Sequence, residues 1–331
     1  EFSTRPLLDV GSYARRGPGR KDRLTPAEID RVRRTVHGAP EVMVKVLTGG
    51  QPTMRGARDH LSYIGREGEL ALETDRGERL SGEDAADRLV DDWDLDLDEH
   101  RPGVALRAAG PTRMPKPVHK LVFSMPAGTP PERVLGAVRG FAREEFALRH
   151  RYAFVLHTDE DHPHVHLVVK ATAEDGTRLN MRKDTLRAWR SRFAEQLRAR
   201  GIEANATERA ARGKGGTALK DGIYRAALRR QSTLLTARLQ SVAKDMSSGQ
   251  PSSERGAQAV AATNRVVRDG YFALSQRLID QGEVELGRKT WRFAELLPFA
   301  QTDRERMREL IREARGKARG KSWDGYQTRE R

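Results

Sequence analysis

The 331-residue chain contains no cysteine, and only 6% of its residues are aromatic. The lack of cysteine excludes disulfides and thiolate metal sites, and it fits a reducing compartment such as the cytoplasm. No apolar run is long enough to span a bilayer and no secretory signal pattern is present, so we expect no membrane insertion. The phosphate-binding pattern GxxxxGK[ST] is also absent, which excludes a P-loop ATPase or fused helicase and predicts that no nucleotide cofactor is used.

Positive charge is what the chain has in excess. It carries 61 Lys and Arg against 47 Asp and Glu, a net charge of +14. The charge is uneven, because residues 14–22, 182–200 and 209–214 are basic whereas residues 83–99 are acidic. Clustered basic charge favours a polyanionic partner, most simply nucleic acid.

Three regions are expected along the chain. Residues 1–40 form a basic N-terminal extension, residues 41–215 a mixed domain of helices and strands, and residues 216–331 a helical C-terminal region that is accessory or binds DNA or a partner. The chain begins with Glu1 and not with Met, so we expect a fragment or an expression-derived start.

Strands are predicted where β-branched and aromatic residues cluster, and helices where apolar residues recur with a helical period between start and stop signals. The predicted strands span 43–48, 118–124, 151–157 and 164–170. The predicted helices span about 25–36, 53–66, 131–149, 180 or 185 to 200, 218–246, 254–280 and 285–316.

The most informative stretch is HTDEDHPHVH, which contains four of the nine histidines. Its flanks, 151–157 and 164–170, look like strands, and TDEDHP between them has turn residues, so the segment predicts a hairpin. In that register His157 lies opposite His164, with His166 two residues along on the same face. The apolar residues between the histidines point the other way, which predicts one sheet face for helices and one for metal and DNA.

Three converging imidazoles predict a site for a divalent metal with open coordination positions. Imidazole suits Zn, Mn, Fe, Co or Ni, whereas Mg requires oxygen ligands from an anionic substrate. Asp159 or Asp161 is expected to accept the free N–H of a ligating histidine, with turn formation as the alternative role. His162 is expected to support the site or to face substrate.

Basic residues around the predicted domain are candidates for phosphate contacts, although a solvated helix face is the better explanation for any single one of them. These candidates are Arg182, Lys183, Arg187, Arg190, Arg209 and Arg212. Trp189 shares a helical spacing with Leu186 and Phe193, which favours a core position over base stacking. Tyr63, one of six tyrosines, lies in HLSYIGREGEL near the end of a predicted helix, where composition alone favours a packing role.

Three blocks in order resemble the conjugative relaxases of the HUH endonuclease superfamily, closest to the mobilisation P class that includes the T-DNA border nickase. HLSYIGREGEL is similar to the motif that carries the tyrosine nucleophile, which implies that role for Tyr63. LVFSMPAGT is similar to the motif whose serine contacts DNA, here Ser124. HTDEDHPHVHLVV is similar to the motif whose histidines bind metal, here His157, His164 and His166. TERAARG also resembles a basic block that follows this domain.

The resemblance implies an α+β fold, with a central antiparallel sheet, helices on one face and a helical C-terminal region after it. It also implies nicking of one DNA strand at an origin of transfer, with a 5′-phosphotyrosyl bond and a free 3′-OH. Mg or Mn is the favoured metal, with Zn, Co or Ni as alternatives. The implied partners are single-stranded or supercoiled DNA, accessory relaxosome proteins, a coupling protein and a type IV secretion system. The implied location is the bacterial cytoplasm, with translocation into a recipient cell while bound to DNA.

Three alternatives stay open. A rolling-circle replication initiator shares the chemistry but usually places its tyrosine after the histidine block, whereas Tyr63 precedes it. A metal hydrolase that activates water at an HxH site needs later histidine ligands, and no histidine follows His166. A non-enzymatic DNA-binding accessory protein would use the histidines structurally.

Overall fold

A computed structural model of the chain describes residue 10 and residues 23–95, 116–214, 232–248 and 256–313. Residues 1–9 and 11–22 of the predicted extension, the first part of the helix predicted at 218–246, the first two residues of the helix predicted at 254–280 and the end of the helix predicted at 285–316 lie outside these residues.

The described segments contain one antiparallel sheet with the strand order β1-β4-β6-β5-β2-β3. Its strands are β1 Met43–Leu47, β2 Leu72–Thr74, β3 Arg79–Leu80, β4 Val118–Ser124, β5 Tyr152–His157 and β6 His164–Lys170. The helices are α1 Pro26–Val36, α2 Met54–Ile64, α3 Ala85–Asp92, α4 Pro131–Phe146, α5 Lys183–Arg198, α6 Thr233–Ser248, α7 Ala257–Asp280 and α8 Val284–Leu296. Residues 303–313 are also helical. The predicted class, α+β with a central antiparallel sheet and a helical C-terminal region, is confirmed.

One face of the sheet is covered by α4 and α5, as the alternation along β6 predicts. Val165, Leu167 and Val169 point to this face and belong to a core with aromatic residues from β4 and the two helices. Phe123 packs edge-to-face on Phe193, with ring centroids 5.1 Å apart. Burial of each large side chain of this kind stabilises the fold by roughly 1.5–3 kcal/mol.

The structure adds two helices on the opposite face. Leu61 and Ile64 of α2 pack with residues of α3 against Val155 and Val168 of the sheet. The same face carries the three histidines of the hairpin, because a strand exposes alternate residues to one side. The face predicted for metal and DNA is therefore partly covered by the helix that carries Tyr63.

Contacts between residues divide the chain into two compact units. The first unit contains residues 37–207, and the second contains α1 with the described residues from 208 onward. Within the second unit α7 and α8 pack together, and the Tyr271 hydroxyl donates to the Ala211 carbonyl at 2.8 Å. The predicted boundaries at residues 40 and 215 stay a prediction. None of the helices described is both long enough and apolar enough to cross a bilayer.

Replacement of Gly68 by alanine tests the turn that follows α2. Gly68 has φ +97°, and an added Cβ would lie 2.2 Å from the Gly82 carbonyl carbon. Gly77 has φ +81° but no atom within 4 Å of such a Cβ. We expect Gly77→Ala to cost about 1 kcal/mol through backbone strain alone, and Gly68→Ala to cost roughly 3 kcal/mol because the clash is with backbone. Urea unfolding followed by fluorescence measures both, and equal losses would contradict this account.

Candidate metal and nucleophile site

The β5–β6 hairpin brings three histidines together in the predicted register. His157 pairs with His164, and His166 follows two residues later opposite Val155. The ring centroids are 5.2 Å apart for His157 and His164, 4.7 Å for His157 and His166, and 5.3 Å for His164 and His166. One nitrogen from each ring lies within 4.8 Å of the other two, a spacing that one metal ion could bridge.

Hydrogen bonds set the proton positions on two of the rings. Nε2 of His157 donates to the Ile64 carbonyl at 2.7 Å, and Nδ1 of His164 donates to the His162 carbonyl at 3.3 Å. These bonds leave Nδ1 of His157 and Nε2 of His164 with lone pairs that can bind a metal. Nδ1 of His166 is buried, and no group in the described part of the chain hydrogen-bonds it. An ion at the cluster would supply that missing partner, so the residues fit a metal.

Burial keeps two of the three rings neutral. Removal from solvent, with a smaller effect of His157 and His164, lowers the pKa of His166 to about 4. Burial also lowers the pKa of His157, partly opposed by its hydrogen bond to Ile64. Both rings are therefore unprotonated at pH 7, as metal ligands must be.

Tyr63 lies on the solvent side of α2. Thr53 caps the start of the helix by accepting from Gly56 N at 3.1 Å, and the helix buries Leu61 and Ile64 against the sheet. Tyr63 is on the outer side and is 68% exposed. An exposed phenol can be reached by a substrate, which a packing tyrosine cannot.

The ring of His60 lies near both Tyr63 and the histidine cluster, and the sequence analysis did not predict a role for this residue. Its ring centroid lies 6.4 Å from that of Tyr63 and 6.2 Å from that of His166. Nε2 of His60 is buried without a hydrogen-bond partner among the described residues. Burial, together with Lys120 and His166, lowers its pKa to about 3. The spacing of three residues between His60 and Tyr63 on a helix was the available signal.

Lys120 is a second residue that sequence reasoning missed. Its side chain is buried on the histidine face, and Nζ donates to the Gly56 carbonyl at 3.1 Å. Burial lowers its pKa, and the charge of Lys116 adds to that effect. The alternation along β4 was the available signal, because Val122 pairs with His166 and Lys120 is two residues away on the same face.

Ser124 lies directly beside the cluster. It pairs with His164 across β4 and β6, and its side chain is buried. Its hydroxyl donates to the Met125 carbonyl at 3.4 Å. Ser124 therefore lies beside the histidines. Its hydroxyl can contact a phosphate there only if it first leaves the Met125 carbonyl.

The acidic loop between the strands makes ion pairs of its own. Asp159 pairs with Arg66 at 2.9 Å, and its carboxylate is 4.0 Å from Nδ1 of His157, which is too long for a hydrogen bond. His162 pairs with Glu160 at 2.9 Å. Asp161 is exposed. Glu160, His162 and His164 also form a second group whose ligand atoms lie within 4.8 Å of one another.

The structure places the predicted phosphate-binding residues in two groups. One set belongs to the start and middle of α5, whose apolar side packs on the opposite sheet face: Arg182, Lys183, Arg187 and Arg190. Arg187 also pairs with Asp184 at 2.7 Å. Arg209 and Arg212 lie in a 3₁₀ turn of the second unit. Their role as DNA contacts stays a prediction. Trp189 is fully buried in the core.

Comparison with known proteins agrees with the motifs. Residues 81–202 match the family described as "Relaxase: MobA/VirD2-like, nuclease domain". This range contains Ser124 and the three histidines of the cluster, and it begins after Tyr63. The resemblance recognised from the motifs is confirmed, since residues 81–202 are similar to a relaxase nuclease domain of the MobA/VirD2-like type.

Two curated relatives are similar over part of their length. The T-DNA border endonuclease VirD2 of Agrobacterium fabrum (strain C58) is 28% identical over 191 residues, which cover 52% of this chain and 41% of that protein. The protein of the same name from Rhizobium radiobacter is also 28% identical over 191 residues, with 43% of its length covered. The chain thus spans less than half of either relative.

A solved structure described as "Molecular Basis of Vancomycin Resistance Transfer in Staphylococcus aureus" aligns with 51% of this chain and 99% of that chain. The TM-score is 0.32 and the identity is 12%. A similarity at that level leads to no conclusion about fold or function.

Measured metal affinity tests which of two groups that share His164 holds the ion. One group adds His157 and His166, and the other adds Glu160 and His162. We expect His164→Ala to weaken binding of Mn²⁺ more than about tenfold, because the variant loses one of three buried imidazoles. His162→Ala is the matched control, because it removes a half-exposed imidazole of the same loop, and it should change the affinity less than about threefold. Calorimetric titration measures both. If His162→Ala weakens binding as much as His164→Ala, the metal belongs to the group with Glu160 and His162.

Proposed function

We propose that the chain is a metal-dependent DNA nickase that cuts one strand at an origin of transfer and starts the transfer of a plasmid or another mobile element. The observation that supports it most is the bond between His157 and the carbonyl of Ile64. That bond joins three metal-binding imidazoles to the helix end where Tyr63 is exposed. The names of the curated relatives, T-DNA border endonucleases, agree with strand cutting.

Tyr63 is proposed to be the nucleophile. Its phenol oxygen attacks the scissile phosphorus, which forms a 5′-phosphotyrosyl bond and breaks the bond to the 3′ oxygen. The phenol proton ends on the departing 3′ oxygen, which becomes a free 3′-OH. A phenol is a weak acid and attacks poorly while it keeps its proton, so a nearby histidine must accept that proton first.

The histidines are proposed to hold a divalent metal, Mg or Mn in the favoured case and Zn, Co or Ni otherwise. When bound, the metal polarises the scissile phosphate and offsets the charge that develops on it. His157, His164 and His166 each bring one ring nitrogen within 4.8 Å of the other two. The ring of His60 is a neighbour of both the Tyr63 ring and the His166 ring. Lys120 adds a positive charge beneath the helix on the same face.

The covalent bond preserves the energy of the phosphodiester, so the reverse reaction can reseal the strand without a nucleotide cofactor. In this proposal the substrate is supercoiled or single-stranded DNA. Accessory relaxosome proteins, a coupling protein and a type IV secretion system would then carry the adduct from the cytoplasm into a recipient cell.

Covalent capture tests the proposal and identifies the nick sequence in the same experiment. The chain is incubated with a pool of single-stranded oligonucleotides that contain a random region, and adducts that survive denaturing gels are sequenced. We expect adducts that share one sequence, require Mg²⁺ or Mn²⁺ and disappear with chelator. Tyr63→Phe removes a single oxygen and should reduce adduct formation by at least about a thousandfold.

Tyr152→Phe is the matched control, because its ring lies in the core on the other sheet face, and it should keep the adduct. Peptide mapping should place the nucleotide on Tyr63. An adduct that persists in Tyr63→Phe would remove the nucleophile assignment. Binding without any adduct under all metal conditions would favour the non-enzymatic alternative.

A further inference from the structure

The second unit contains a groove that the nicking site does not use. It encloses about 650 Å³ between α7 and helix 303–313. Each helix lines it with residues at helical spacing, and each contributes two arginines. α7 provides Arg265 and Arg268, and the other helix provides Arg308 and Arg312.

These four cations lack carboxylate partners in the part of the chain that the structure describes. Two glutamates also line the groove, but both stabilise local structure. Glu305 accepts from Thr302 N at 2.8 Å, and Glu309 accepts from Gln301 Nε2 at 3.0 Å. Nε of Arg268 is buried without a hydrogen-bond partner among the described residues. Like charges gathered in one groove repel one another, so a bound anion would relieve them.

An aromatic ring lies beside the arginines. Phe299 is 55% exposed, and the guanidinium carbon of Arg268 lies 4.2 Å from its ring centroid. Asn264 fixes this segment, because its side chain donates to the Ala300 carbonyl at 2.9 Å and accepts from Ala300 N at 3.1 Å. A held ring with a stacked guanidinium is the kind of platform on which nucleic-acid bases stack.

We propose that this groove binds a single strand of DNA, with phosphates on the arginines and a base on Phe299. A single strand can place its bases on an exposed ring, whereas the bases of a duplex are stacked on one another. Residues 314–331, which follow the helix in sequence, contain six Lys and Arg against two Asp and Glu, so they are a poor occupant for a basic groove. Binding here does not depend on the nicking reaction, and either proposal can fail without the other.

Binding is measured on the full chain with Tyr63→Phe, so that covalent capture cannot contribute. Fluorescence anisotropy follows a labelled 20-mer of random sequence. Arg265 and Arg312 are the test positions, because both are exposed. The double variant Arg265→Ala with Arg312→Ala should weaken binding about fivefold or more at physiological salt. The slope of log affinity against log salt should fall in magnitude by about 1.4, because each lost phosphate contact accounts for about 0.7.

The matched control is Arg288→Ala with Lys289→Ala, which removes the same charge from exposed positions of α8 outside the groove. It should weaken binding less than about twofold, and circular dichroism should show both variants folded. An equal loss in the control would overturn the proposal, because net charge alone would then explain it.

Photocrosslinking with 5-iodouracil in the oligonucleotide gives a readout of position. The tryptic peptide of residues 293–304, which contains Phe299, should carry the crosslink, and Phe299→Leu should remove it. Crosslinks confined to residues 37–207 would overturn the proposal. Tighter binding of duplex DNA or of polyglutamate would also overturn it, and polyglutamate binding would identify the groove as a site for an acidic protein segment.

Discussion

The hydrogen bond from His157 to the carbonyl of Ile64 is the contact on which the geometry of the site depends. It spans 93 residues of sequence and joins the central hairpin to the end of α2. The last carbonyls of a helix have no partner within the helix, so this bond satisfies a group that would otherwise be buried and unpaired. The same bond fixes the proton of His157 on Nε2 and leaves Nδ1 for a metal. One interaction therefore sets both the position of the end of α2 and the nitrogen of His157 that is free to bind a metal.

The second constraint is desolvation of the histidine face. α2 and α3 pack against this face, and their burial of it lowers the pKa values of His60, His157 and His166. Neutral imidazoles bind a metal without first losing a proton, so the packing prepares the cluster for an ion. Lys120 adds a buried positive charge on this face, where its Nζ donates to the Gly56 carbonyl of α2.

Much of the hairpin could be predicted because it depends on local rules. The strands have a period of two and the loop has turn residues, so the register of His157 with His164 follows from the sequence. The strands β2 and β3 were not predicted, because three residues and two residues are too few to carry a periodic signal.

The packing of α2 on the histidine face could not be predicted, because no local pattern states which face a helix covers. The same limitation applies to α5. Its arginines are predicted phosphate contacts, but no local pattern shows that Trp189 and Phe193 pack this helix on the face opposite the histidines. His60 and Lys120 were missed for a related reason, since their importance comes from burial beside residues distant in sequence.

In our two proposals, a cut strand is held both by a covalent bond to Tyr63 and by contacts in the basic groove. A phosphotyrosyl bond would tether only the 5′ side of the nick, and religation needs the strand to be kept nearby in an orientation that can react again. Contacts that follow the phosphate backbone can retain a strand of any sequence, whereas the nick itself must be read at one site. The basic groove of the second unit has the charge and the aromatic ring to retain the strand. The histidine face of the first unit has the groups proposed to cut it. If both proposals hold, the chain combines specific cutting with unspecific retention, and different residues in separate units carry the two functions.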